Sequence, residues 1–176
     1  TAGTAVTVGP NSGFDVNIGN VANGNTVHLT YTDAANVQHT VTIMRVDDPS
    51  ALPLPNSATT DPNDTVIGLN FSGGAASVAT QLNTALAGAG LQFSNPRGST
   101  LEVLDTGTGA TVNAASTTTT ASTLTGGSGA LPLFVDGAKP YTGVIAGTGS
   151  EVTGFAGRIS VNQSLIDDPT GMIDYS

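Results

Sequence analysis

Apolar and polar positions alternate along much of the chain, and this alternation predicts strands. Thr4-Ala5-Val6-Thr7-Val8 opens on a β-like pattern, and Phe14, Val16 and Ile18 then alternate with Asp15 and Asn17. The second set reads as a half-buried strand stopped by Gly19 and Asn20. Val27, Leu29 and Tyr31 form one apolar face, and Val41 and Ile43 form another beyond a short connection. Because side chains alternate with a period of two, an even loop between these strands would put the two apolar sets on different faces, so the loop must be odd. The loop Ala34-Ala35-Asn36, with Asn36 left-handed, predicts Val27 opposite Ile43, Leu29 opposite Val41 and Tyr31 opposite His39. His28, Thr30, Thr40 and Thr42 then share the other face.

The pattern breaks from Asp47 to Asp64, where Pro49, Pro53, Pro55 and Pro62 remove amide donors and predict an exposed loop. Val66, Gly68, Leu69 and Phe71 resume a strand. Ala75, Val78, Ala79, Leu82, Ala85 and Leu86 fall at spacings of three and four, which predicts one main amphipathic helix over about 75–87, stopped by Gly88 or Gly90. Leu91 and Phe93 lead into Asn95-Pro96-Arg97-Gly98. An odd loop there, with Gly98 left-handed, predicts Phe93 opposite Leu101 and Leu91 opposite Val103, whereas an even one would oppose Leu91 to Glu102.

Between Thr106 and Ala130 the chain is rich in Thr, Ser, Gly and Ala. Two readings compete: a strand over about Thr111 to Ser122 with Gly126-Gly127-Ser128-Gly129 as a joint, or a mobile linker; threonine's preference for strands favours the first. Leu131, Leu133, Phe134 and Val135 then form a short apolar patch ended by Asp136-Gly137, and Phe155 to Val161 alternates around Gly157 and Arg158. Asn162 is placed to cap a short C-terminal helical turn running through Asp168, which Pro169 ends.

A length of 176 residues fits one domain, or one domain with an appendage. Four basic residues against thirteen acidic ones give a net charge of −9, which argues against nucleic acid and anionic lipid as partners. Mean hydropathy is +0.10, but no stretch of about 18 apolar residues is present to span a bilayer. The absence of cysteine removes disulfides, thiolate metal sites and thiol nucleophiles together. Thr1 stands where an initiator methionine would, inside a β-like pattern, so a piece of a longer protein is expected.

Candidate chemistry is sparse. A Ser-His-Asp arrangement would need His28 or His39 as its base, and the predicted register puts the two on opposite faces. The simpler expectation is a cross-strand packing pair of Tyr31 and His39, with His28 solvated. Asp61, Asn63 and Asp64 are the weak candidates for a metal site, being oxygen ligands at short spacing in a loop. An EF-hand fails there, because Val66 stands where glycine is needed and Ser72 where glutamate is needed. Their alternative role is to satisfy turn backbone groups. Gly126-Gly127-Ser128-Gly129 opens like a calcium-binding nonapeptide but has Leu131 at the aspartate position, and the pairs Gly107/Gly109 and Gly147/Gly149 lack the lysine of a phosphate loop. Arg158 suits a salt bridge within the fold or a contact to a neighbouring chain. Neither a catalytic residue nor a cofactor is expected.

Two stretches carry a resemblance. Leu131-Pro-Leu-Phe-Val-Asp-Gly-Ala-Lys-Pro-Tyr-Thr-Gly143, followed by Gly154-Phe-Ala-Gly-Arg-Ile-Ser-Val-Asn162 and Asp168-Pro169, resembles the C-terminal half of the bacterial flagellar hook-associated protein 1 family, in its alphaproteobacterial form. Gly90-Leu-Gln-Phe-Ser-Asn-Pro-Arg-Gly98 and the threonine-rich tract are similar to the same hook–filament junction proteins. The strand, helix and hairpin over Val66 to Val112 also resemble small insertion modules of flagellins and of the filament cap. The resemblance implies a mainly β outer domain, here 1–152, inserted between helical segments that polymerise in the flagellar wall, with 153–176 as the return segment. It further implies a secreted, extracellular structural protein without enzymatic activity, whose partners are neighbouring copies and other axial proteins. A cysteine-free, weakly charged chain suits export in the unfolded state.

The expected fold is therefore α+β and predominantly antiparallel β. Without the polymerising helices, and with −9 of self-repulsion, the chain itself is expected to be monomeric. The alternative function is an extracellular β-domain adhesin or glycan-binding module, which the lack of tryptophan disfavours.

Overall fold

The computed structural model describes residues 1–54, 61–118, 133–137, 139–141, 145–146, 149–150 and 154–169. Residues 119–122 of the threonine-rich strand, the Gly126-Gly127-Ser128-Gly129 joint, Leu131 and Gly147 lie outside them. The fold is α+β and mostly antiparallel. Its strands are β1 (Thr4–Val8), β2 (Asn11–Asn17), β3 (Thr26–Thr32), β4 (Gln38–Arg45), β5 (Asp64–Leu69), β6 (Leu91–Ser94), β7 (Thr100–Asp105) and β8 (Thr111–Thr117). After these come β9 (Phe134–Asp136), β10 (Lys139–Pro140), β11 (Ile145–Ala146), β12 (Gly149–Ser150) and β13 (Ile159–Val161). The helices are α1 (Gly74–Ala85) and α2 (Gln163–Asp167).

Two four-stranded sheets, in the orders β1-β2-β7-β6 and β5-β4-β3-β8, share one apolar core. The alternating faces of β2, β6 and β7 meet those of β3, β4 and β8 there, and α1 contributes Ala75, Val78, Ala79 and Leu82. The first residues of the chain tie the sheets together. Gly3 N–H donates to Ala115 O at 2.8 Å, and Thr117 N–H to Thr1 O at 2.8 Å, so the segment leading into β1 lines the edge of β8.

The β3–β4 hairpin has the predicted register throughout, with Val27 opposite Ile43, Leu29 opposite Val41 and Tyr31 opposite His39. Asn36 turns the loop at φ +62°. The β6–β7 hairpin keeps the predicted parity but slips by two residues: Phe93 faces Val103 and Leu91 faces Asp105. The slip leaves every side chain on its expected face and lengthens the loop. Asn95 holds that loop through its Nδ2, which donates to Gly98 O at 3.0 Å and Thr100 O at 2.6 Å, while Gly98 is left-handed at φ +47°. β7 must also fit β2, where Val103 lies opposite Phe14 and Leu101 opposite Val16.

β5 pairs parallel to β4, with Ile67 beside Ile43. Leu52 and Leu54 of the proline-rich connection pack against β5, since a Cβ placed at Gly68 would strike their side chains, while residues 55–60 of the predicted loop, Pro55 included, lie outside the described residues. α1 ends with Leu86 as its C-cap, so Ala85, expected on the buried face, is exposed. Gly88 and Gly90 both follow with positive φ.

Asn83 projects from α1 to the free edge of β6. Its side-chain amide accepts from Phe93 N–H at 2.9 Å and donates to Phe93 O at 2.8 Å, as a neighbouring strand would. Asn83→Ala is expected to lower stability by about 1 kcal/mol, because water replaces part of what is lost at this edge. Urea unfolding midpoints of the two proteins check it; no difference would mean that solvent substitutes fully.

Beyond β8, β9 pairs with both β10 and β13 in a small antiparallel sheet, so strands on either side of position 152 are joined. Phe155–Gly157 forms a 3-10 turn entered through left-handed Gly154, and strand structure begins only at Ile159, later than the alternation predicts. Asn162 caps α2 as expected, its side chain accepting from Ser164 N–H at 3.1 Å.

Candidate functional site

Three regions hold the residues that could carry function: the turn before β5, the turn end of the β3–β4 hairpin, and the small C-terminal sheet. In the first, Asp61 Oδ1 accepts from Asn63 N–H at 2.9 Å and Asp64 N–H donates to Asp61 O at 3.1 Å. Asn63 O accepts from Thr40 N–H at 3.0 Å. These interactions join the turn to β4 and form an Asx turn, the structural role open to such residues. Among the described residues, no group of three or more His, Asp or Glu side chains converges as a metal cage.

The histidines sit on opposite faces of the hairpin, as the register requires. His28 is half-buried rather than solvated, with Nε2 2.9 Å from Thr26 Oγ1 and Nδ1 3.3 Å from Thr42 Oγ1. His39 stacks on Tyr31 with ring centroids 5.0 Å apart and an interplanar angle of 19°.

The sequence reading missed the partner of His39. Asp33 Oδ2 lies 2.9 Å from its Nε2, while Asp33 Oδ1 accepts from Ala35 N–H at 2.8 Å and Val37 N–H at 2.9 Å. A carboxylate only accepts, so Nε2 carries the proton and Nδ1 is the acceptor of the neutral ring. The signal available in sequence was an aspartate one position ahead of a three-residue loop, where an Asx turn aims its free oxygen back across the strands.

Tyr31, Asp33 and His39 line an open cleft of about 440 Å³, together with Ala34, Gly90 and Thr108. The hydrogen bond from His39 holds the Asp33 carboxyl below its ordinary value of 3.8, with the Val37 and Ala35 amides acting in the same direction. A folded-state pKa below the unfolded one contributes stability above the unfolded value, which is lost as pH falls through the folded value. Asp33→Asn is therefore expected to flatten the fall in melting temperature below about pH 4. Thermal melts through that acid range check it, and an unchanged acid limb would assign the loss to other carboxylates.

In the third region Phe134 lies opposite Val161, and Asp136 opposite Ile159, so these four share one face. Phe134 is 53% exposed, and Ile159 and Val161 are each 43% exposed. On the other side Val135 is buried, and Leu165 of α2 is buried as well. Arg158, open in the sequence reading to a partner inside or outside the chain, clamps Asp136 through Nε at 2.8 Å and Nη2 at 3.0 Å. This pair holds the Asp136 carboxyl below its ordinary range. The arrangement is an apolar strip on a pinned small sheet, suited to contact with another protein surface.

No helix among the described residues is long and apolar enough to cross a membrane. No family model, curated protein or solved structure matches the chain.

Proposed function

We propose that this chain is a structural, non-enzymatic outer domain of a bacterial flagellar axial protein of the hook–filament junction type, exported and held outside the cell. Its role is mechanical: projecting domains accommodate a flexible hook on one side and a stiff filament on the other through surface contacts. The observation that carries the reading is where the resembling residues lie. Parts of the two stretches, Phe134–Asp136 and Ile159–Val161, pair with each other and turn Phe134, Ile159 and Val161 outward. Exposed apolar side chains on a sheet that a bidentate Arg158–Asp136 pair pins in place support a contact surface for neighbouring subunits.

Immunogold labelling of the producing bacterium with antibody raised against this chain tests the reading. Label confined to the junction between hook and filament is expected, together with loss of filaments but not hooks when the coding region is deleted. Label spread over the cell body, with filaments intact in the deletion strain, would overturn it.

The cleft beside Tyr31 and His39 favours a second reading, an extracellular adhesin-like or glycan-binding β-domain. Its aromatic wall and open shape suit a small polar ring. Saturable glycan-array binding that is lost in His39→Ala would support that reading over the first.

A further inference from the structure

A sheet edge presents unpaired amide and carbonyl groups to any extended chain, and folded proteins usually cover or charge such edges. Among the described residues, two of the four edges of the two main sheets have hydrogen-bonding partners on their outer side. Asn83 pairs with the backbone of β6 at Phe93, and residues 1–3 pair with β8; Leu52 and Leu54 pack on a face of β5, where a Gly68 Cβ would point. The edge of β1 is bare among the described residues: its outer side has no neighbouring strand, and four of its five residues are exposed.

The direction of its free groups follows from the pairing. Gly3 sends its N–H outward to Ala115, away from β2, and backbone groups alternate sides along a strand, so Ala5 and Thr7 also point theirs outward. Thr4, Val6 and Val8 face β2, with Val8 opposite Asn11 across the Gly9-Pro10 turn. The exposed edge Thr-Ala-Val-Thr-Val carries no charge, proline or lysine and is mostly β-branched, so it lacks the usual devices that discourage strand addition.

The electrostatics select the occupant. The chain carries −9, so a second copy would bring an equal negative charge to the same edge. Asp15 lies opposite Thr4 on β2, and its Oδ1 is buried without a hydrogen-bond partner; Arg97 approaches only the other oxygen, at 3.9 Å. A strand added outside β1 is two strand spacings, about 10 Å, from Asp15, within reach of a lysine extended over Thr4. We propose that β1 is a docking edge for an extended, β-branched segment with basic flanks, contributed by a protein other than this one.

The probe is a peptide of alternating threonine and valine with lysine at both ends, compared with the same peptide ending in glutamates. Amide exchange by NMR on the full chain reads the result. The lysine peptide at about millimolar concentration is expected to slow exchange at Ala5 and Thr7 by about tenfold, and the glutamate peptide to leave it unchanged. Asp15→Asn should weaken the lysine peptide while leaving the fold intact, and Thr7→Pro, which removes an outward N–H only, should abolish protection at Ala5. Equal protection by both peptides, protection at another edge, or none at all would overturn the proposal. So would protection that rises with protein concentration in the absence of peptide, which would make a second copy the occupant.

Discussion

Gly13→Ala is expected to destabilise the protein by about 3 kcal/mol or more, beyond the ordinary range for a single substitution. Gly13 sits in β2 between β1 and β7, opposite Val6 on one side and Leu104 on the other. A Cβ there would overlap the backbone carbonyl of Val103, with Leu104 Cα 2.9 Å away. Neither atom belongs to a flexible side chain, so relief requires β7 to move. β7 in turn carries Leu101 and Val103 into the core, and its displacement would loosen the whole β1-β2-β7-β6 sheet. Gly157→Ala is the matched control, since its Cβ would meet nothing within 4 Å. Denaturant unfolding of both variants decides the matter. If Gly13→Ala unfolds at the midpoint of the control, the close approach of β2 and β7 is not real.

Leu82→Ala carries the second large effect, an expected loss of about 2–5 kcal/mol. Leu82 is 0% exposed and lies on the buried stripe of α1 with Ala75, Val78 and Ala79. The cost combines lost transfer free energy with a cavity that the surrounding strands, fixed by their ladders, fill only in part. Ala85→Ser, one turn further along and exposed, should change stability by less than about 0.5 kcal/mol. Calorimetric melts of the pair measure the difference. A loss for Leu82→Ala no larger than for Ala85→Ser would show that α1 is not seated on the core.

The two hairpins mark how far the sequence reading reaches. In β3–β4 the alternation of Val27, Leu29 and Tyr31, with Asn36 able to take a left-handed turn, fixes both parity and register, and the observed pairs agree. In β6–β7 the same reasoning fixes parity but not register, because a slip of two residues preserves every face. The selecting interactions there are Asn95's bonds across the loop and the fit of Val103 to Phe14 on β2, and the second is distant in sequence.

At the candidate sites the same division holds. The stacking of His39 on Tyr31 was legible, since it follows from which residues face each other. The Asp33 partner was not, because it depends on the direction in which an Asx turn sends its second oxygen. The Arg158–Asp136 pair was half legible: an ion pair within the fold was one of two roles open to Arg158, and the partner and its place on the small sheet came from the pairing of β9 with β13.

By itself, then, the sequence determined the faces: which side chains point inward on β2, β3, β4, β6 and β7, where α1 lies, which residues cap and turn. These depend on local periodicity, on φ preferences and on capping chemistry, all of which act within a few residues. Only the tertiary structure decided the neighbours: the parallel partner of β4, the seat of Gly13 against β7, the partners on the edges of β6 and β8 and the bare edge of β1. Those choices turn on close approach between segments far apart in the chain, where packing of backbone against backbone, rather than side-chain period, sets the energy.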